Sequence, residues 1–136
     1  MYSNGFVFNH HFSFTQKQVE AFAEITGDDN PVHLDEAYAS KTIFQKRIIH
    51  GFLGASVFSK VFGTLFPGEG TIYLSQTMAF HRPMFTDKNY KATFVIDSID
   101  TEKKRAVVNT VIYDEADKKI VTGQAVVMND AFAAIS

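Results

Sequence analysis

A chain of 136 residues with 46% hydrophobic and 21% charged side chains can bury one substantial core, so a single domain over residues 1–136 is expected and disorder is excluded. Thirteen basic and 15 acidic residues give a net charge of -2 without long blocks of one sign, which excludes the electrostatic footprint of a nucleic-acid or anionic-membrane binder. Zero cysteines remove disulfides, thiolate metal centres and a cysteine nucleophile. With no basic-then-apolar leader in the first residues and no span-length apolar run, a cytoplasmic protein is expected.

His11 to Phe14 reads as an edge strand. A first helix follows: Thr15 with Gln18 three residues on forms a capping box, and Phe14 can staple against Val19. Val19, Phe22, Ala23 and Thr26 share one face, and Gly27 supplies the stop. The next segment, Gly27-Asp28-Asp29-Asn30-Pro31-Val32-His33, carries a carboxylate and an imidazole five residues apart. Pro31 lacks an N–H and biases Asn30 toward extended backbone, so a kinked turn outside regular helix is expected. A rigid turn bearing two groups that move protons suits general acid–base chemistry; the same residues also read as a capping turn with a surface histidine. Asp35 can cap a short turn through Glu36, Ala37 and Tyr38.

A second helix spans roughly Ile49 to Phe62, apolar or small on nearly every side, with Lys60 its only charge. A helix with no polar face belongs inside. Thereafter the period is two. Ile72, Leu74, Met78 and Phe80 alternate within Thr71 to His81, and Tyr90, Ala92, Phe94 and Ile96 line one face of Tyr90 to Asp100. Ala106 to Tyr113 and Ile120 to Met128 make a hairpin around Asp114 to Lys119. The pattern specifies an α+β fold in which an antiparallel sheet wraps around a buried central helix, the hotdog arrangement. Fourteen Phe and 5 Tyr without Trp suit either its interior or an acyl slot.

Three motifs in order, Asp28-x-Asn30-Pro31-x-His33, Arg47-Ile48-Ile49-His50-Gly51-Phe52-Leu53-Gly54-Ala55-Ser56 and Phe80-His81-Arg82-Pro83, make the chain resemble the MaoC-like dehydratases, specifically the R-specific enoyl-CoA hydratases. The resemblance runs from about residue 12 to 128. It implies a homodimer that adds water reversibly to trans-2-enoyl thioesters, carried on coenzyme A or acyl carrier protein, to give R-3-hydroxyacyl thioesters. It assigns the acid–base pair to Asp28 and His33, with Asn30 and Ser56 supporting. Asp29 sits beside Asp28, and the spacing to Asn30-Pro31 and His33 selects Asp28. Phe52 and Gly54 stand where relatives often carry larger aliphatic residues.

The chemistry of hydration itself asks for donors toward an enolate oxygen. The first turn of the central helix offers free N–H groups around Gly51, which also lets a thioester come close. No cofactor or metal is expected: His10, His11, His50 and His81 show no ligand spacing and are read as ordinary polar residues. Lys41, Lys46, Arg47 and Arg82 read either as solvated charges or as contacts to coenzyme A phosphates. The rival functions are a hotdog thioesterase, whose usual carboxylate the central helix lacks, and a non-catalytic acyl-CoA binding or regulatory module.

Overall fold

The computed structural model describes residues 1–134. In chain order the elements are β1 (Val7–Phe12), α1 (Gln16–Thr26), α2 (Pro31–Leu34), α3 (Glu36–Ala39), α4 (Gly51–Thr64), β2 (Ile72–Phe80), β3 (Tyr90–Asp100), β4 (Arg105–Tyr113) and β5 (Lys119–Met128). The five strands form one sheet in the order β1-β3-β4-β5-β2, every pair antiparallel. Its inner face closes on α4, which is the hotdog arrangement.

Alternation in β3 shows why. Tyr90, Ala92, Phe94 and Ile96 are buried while the residues between them are partly exposed. They meet Leu53, Val57, Phe58, Val61 and Phe62 of α4 in one apolar cluster. The Phe94 ring lies edge-on to Phe58 at 5.7 Å and to Phe62 at 5.2 Å. Removing one such buried ring typically costs about 3–5 kcal/mol, so these rings hold the helix in the sheet.

Four local expectations are corrected. The first strand is Val7–Phe12 instead of His11 to Phe14, with Val7 to Phe12 pairing one for one with Val95 to Tyr90. His10 occupies an inward position between Phe8 and Phe12 and hides the period of two from a hydropathy reading. The central helix starts at Gly51, because His50 at φ −52° and ψ 134° has left helical backbone, and it continues to Thr64. That helix is also not buried all round: Phe52, Ser56, Ser59 and Lys60 face outward, and Phe52 is 67% exposed.

The fourth correction concerns β2. Its register slips at Leu74, with Tyr73 opposite Val127 and Ser75 opposite Val126. The extra residue breaks the even-numbered alternation. Tyr73 ends up edge-on to Phe62 at 5.1 Å, whereas Ile72, Leu74 and Phe80 stay exposed along a sheet edge that no described residue covers.

Candidate active site

The Asp28 segment is shaped by its neighbours in sequence. The capping box of Thr15 and Gln18 starts α1, and Gly27 ends it at φ 79°, where its N–H reaches the Ala23 carbonyl. The Asp28 N–H then donates to Thr26 Oγ1 at 3.2 Å. Asn30 Oδ1 accepts from the Val32 N–H at 3.2 Å, and Pro31 follows as the first helical residue. The expected non-helical turn therefore ends at Asn30, and His33 rides on the short helix α2. Proline suits that first position, since a residue there has no helical partner for an N–H and the N–H that proline lacks is not missed, while its fixed φ is already helical. The turn is pinned from both sides. Gln16 Nε2 donates to the His33 carbonyl at 2.8 Å, and Asp35 caps α3 through the Tyr38 N–H at 3.1 Å.

His33 is 8% exposed, and its Nδ1 lies 2.8 Å from the Ile48 carbonyl oxygen. A carbonyl only accepts, so Nδ1 carries the proton and the neutral ring keeps its lone pair on Nε2. Burial lowers the pKa of His33 below the ordinary 6.5; the Ile48 bond and the Asp28 carboxylate oppose that shift, and His50 adds to it. His50, 2% exposed, sends Nε2–H to the main-chain carbonyl of Asp28 at 2.9 Å. Its ring stacks on His33 with centroids 3.9 Å apart. One carboxylate oxygen of Asp28 and one ring nitrogen from each histidine lie within 4.8 Å of one another.

This arrangement corrects the reading of His50 as an ordinary polar residue. It is the member of the cluster that sequence reasoning missed. The available signal was its place immediately before Gly51, at a helix start where Ser, Thr, Asp or Asn would ordinarily cap. The three donors also resemble a metal set by proximity alone. Two of the four ring nitrogens are committed to carbonyls, and the rings lie face to face at 29°, so their in-plane lone pairs run side by side instead of converging on one ion.

Two cavities flank the first turn of α4. One, of about 700 Å³, is lined by Asp28, Phe22, Ser56, Ser59, Tyr73 and Met78 among others. The second, of about 460 Å³, is lined by His50, Gly51, Phe80, Arg82 and Met84 among others, and Phe52 borders both. Ser56 Oγ donates to the Leu53 carbonyl within its own helix, and Ser59, one turn further, lines the same cavity. The first helical bond of α4 runs from the Gly54 N–H to the His50 carbonyl, which leaves the N–H groups of Gly51, Phe52 and Leu53 without helical partners.

Asn30 contributes as scaffold, capping α2 and donating its N–H toward Asp28 Oδ1 at 3.4 Å. Asp29 does not line either cavity. Of the cationic candidates, Arg47 pairs with Glu36 at 3.0 Å and Lys46 sits 4.4 Å over the Phe85 ring, whereas Arg82 borders the second cavity. His10 meets Lys60 Nζ at 3.2 Å and His81 meets Thr122 Oγ1 at 2.7 Å, both away from the cluster.

Residues 4–119 match the MaoC like domain family. The (R)-specific enoyl-CoA hydratase of Aeromonas caviae is 40% identical over 114 residues, 84% of this chain and 85% of that protein. The protein of the same name from Rhodospirillum rubrum is 35% identical over 116 residues, 85% of this chain and 80% of its own. The solved (R)-hydratase from A. caviae superimposes with a TM-score of 0.89 at 36% identity, covering 93% of this chain and 96% of that one. With the family match spanning most of its length and a relative 40% identical over 84% of it, the chain belongs to the MaoC-like domain family.

Proposed function

We propose that the chain, acting as a single domain over residues 1–136, is an (R)-specific enoyl-CoA hydratase. It adds water reversibly to trans-2-enoyl thioesters through Asp28 and His33. The observation that carries this reading is the convergence of the Asp28 carboxylate, which lines an apolar cavity, with the buried, neutral His33, near the N–H groups of α4 that have no helical partner. Two hydrogen bonds of about 2.8 Å meeting at a tetrahedral water oxygen span about 4.6 Å, which suits groups within 4.8 Å of each other.

His33 Nε2 then takes a proton from that water as its oxygen bonds to the β-carbon. Electrons of the alkene move onto the thioester oxygen, where the Gly51 N–H donates. The imidazolium returns the same proton to the α-carbon, so H and OH arrive on one face and no net proton is consumed. Asp28 accepts the second water hydrogen and offsets the charge on His33. The acyl chain occupies the larger apolar cavity, and the carrier arm runs through the second cavity past Arg82, with coenzyme A as the carrier by likeness to the named relatives. Ser56 supports the wall of the acyl cavity. The chemistry requires no cofactor. A cytoplasmic location belongs to the same reading; among the described residues no helix is long and apolar enough to cross a membrane.

Crotonyl-CoA tests the proposal. Loss of the conjugated alkene without free thiol, giving the R-3-hydroxy product on chiral analysis, is the expected result. Thiol release in place of alkene loss would make the protein a thioesterase, no reaction with measurable binding would make it a binding module, and an S product would reject the stereochemical assignment.

A homodimer is part of this reading. β2 leaves a nine-residue edge whose Ile72, Leu74 and Phe80 are 51%, 40% and 48% exposed, next to Phe52 of α4. An uncovered apolar edge of that length favours pairing with a second copy. Sedimentation at micromolar concentration is expected to return twice the monomer mass of 15.2 kDa, and a monomer would refute it.

A further inference from the structure

His50 stands at the N-cap of α4, yet its side chain makes no bond to that helix. Among the described residues, the only polar contact of that side chain goes 22 residues back, to the Asp28 carbonyl, and Nδ1 is buried without a partner. Burying an imidazole with one nitrogen unsatisfied is unfavourable, and an apolar side chain would fill the same space without that cost. Packing alone therefore does not account for a histidine here. What it does supply is geometry. One ring face lies against His33 at 3.9 Å, Phe22 packs at 4.8 Å, and Nε2–H fixes the backbone of Asp28.

We infer that His50 is a positioning residue that clamps the Asp28 backbone and the His33 ring to the first turn of α4, setting both groups relative to the Gly51 N–H. This rests on the reading of Asp28 and His33 as the acid–base pair. Because His50 precedes Gly51 directly, one residue ties the proton-transfer groups to the donors that meet the thioester oxygen. A reactive geometry displaced by an ångström typically loses on the order of a hundredfold in rate, and such a clamp acts on kcat before it acts on binding.

Two amides separate a positioned donor from general polarity. In His50→Gln the amide nitrogen falls near the place of Nε2 and can still reach the Asp28 carbonyl; in His50→Asn it falls near Nδ1 and cannot. His50→Phe keeps the stacked ring without any donor. With fold checked by circular dichroism, kcat for crotonyl-CoA hydration is expected within about fivefold of wild type for Gln. For Asn and Phe a fall of about tenfold to a hundredfold is expected, with KM nearly unchanged. In an Asp28→Asn background, His50→Phe should cost little more, because the groups act as a unit.

Equal activity of the Gln and Asn variants, an effect confined to KM, or a full multiplicative loss in the Asp28→Asn background would overturn the inference. So would failure of all three variants to fold, which would make His50 a core residue only. An active Asp28→Asn single variant would instead reject the acid–base assignment on which the inference rests.

Discussion

Asp28→Asn and His33→Gln are each expected to lower hydratase turnover by about 100-fold to 10,000-fold while the protein stays folded. The structure explains why these changes are local. Asp28 is held through its backbone, by Thr26 Oγ1 at the N–H and His50 Nε2 at the carbonyl, so exchanging the carboxylate for an amide leaves both ties in place. An amide cannot stabilise an imidazolium as a carboxylate does, and it presents N–H where the water hydrogen should be accepted. His33→Gln removes the lone pair that takes the proton. It also loses the bond to Ile48, which His33→Asn retains because its amide falls at the level of Nδ1. Both variants should be equally poor catalysts. Asp29→Asn should change little, since Asp28, not Asp29, gathers with His33 and His50. Steady-state kinetics on the four proteins decide the matter: a fully active Asp28→Asn enzyme, or a loss confined to Asp29→Asn, would remove the pair from the mechanism.

The same assignment fixes a pH dependence. Burial lowers the His33 pKa, so the folded protein holds the proton-accepting neutral form at pH values where an ordinary histidine is half charged. The acid limb of kcat/KM for hydration is therefore expected below pH 6.5, where His33 takes up a proton and loses its accepting lone pair. Stability follows with a definite sign. The unfolded chain binds more protons at this site than the folded one, so the contribution of His33 is present above 6.5 and is lost as the pH falls through the lowered folded-state value.

Gly51→Ala is expected to reduce kcat/KM by about 100-fold, more than it reduces stability, if the Gly51 N–H meets the thioester oxygen; one such donor is worth around 3 kcal/mol in the transition state. Packing makes the test sharper than composition suggests. A Cβ at Gly51 would stand 2.8 Å from the Phe80 ring, a half-exposed side chain able to swing aside. Combining Gly51→Ala with Phe80→Leu therefore separates two causes. If the loss comes from pushing Phe80, the double variant regains activity; if the methyl group blocks the thioester, it does not. A double variant with wild-type turnover would place the oxyanion donors elsewhere.

The elements of this fold are legible where a residue's neighbours in sequence are also its neighbours in space. The capping box at Thr15, the stop at Gly27, the Asp35 cap and the β4–β5 hairpin were all readable, because each depends on contacts within a few residues. β3 was readable for a related reason, since one face meets the core along most of its length and the period of two survives. The spacing of Asp28, Asn30, Pro31 and His33 likewise identified the pair that the proposal uses. Tertiary structure decided the rest. His10 at an inward position masked the first strand, the bulge at Leu74 turned Tyr73 instead of Ile72 toward the core while Met78 kept its inward place, and Pro31 began a helix instead of preventing one. His50 could not be found by spacing, as its partner is a backbone carbonyl 22 residues away and its stacking on His33 exists only once α4 docks against the Asp28 turn. Sequence determines local geometry and the identity of the chemical groups, while the protonated nitrogen of His33, the depressed pKa and the convergence of three side chains come from burial and long-range packing.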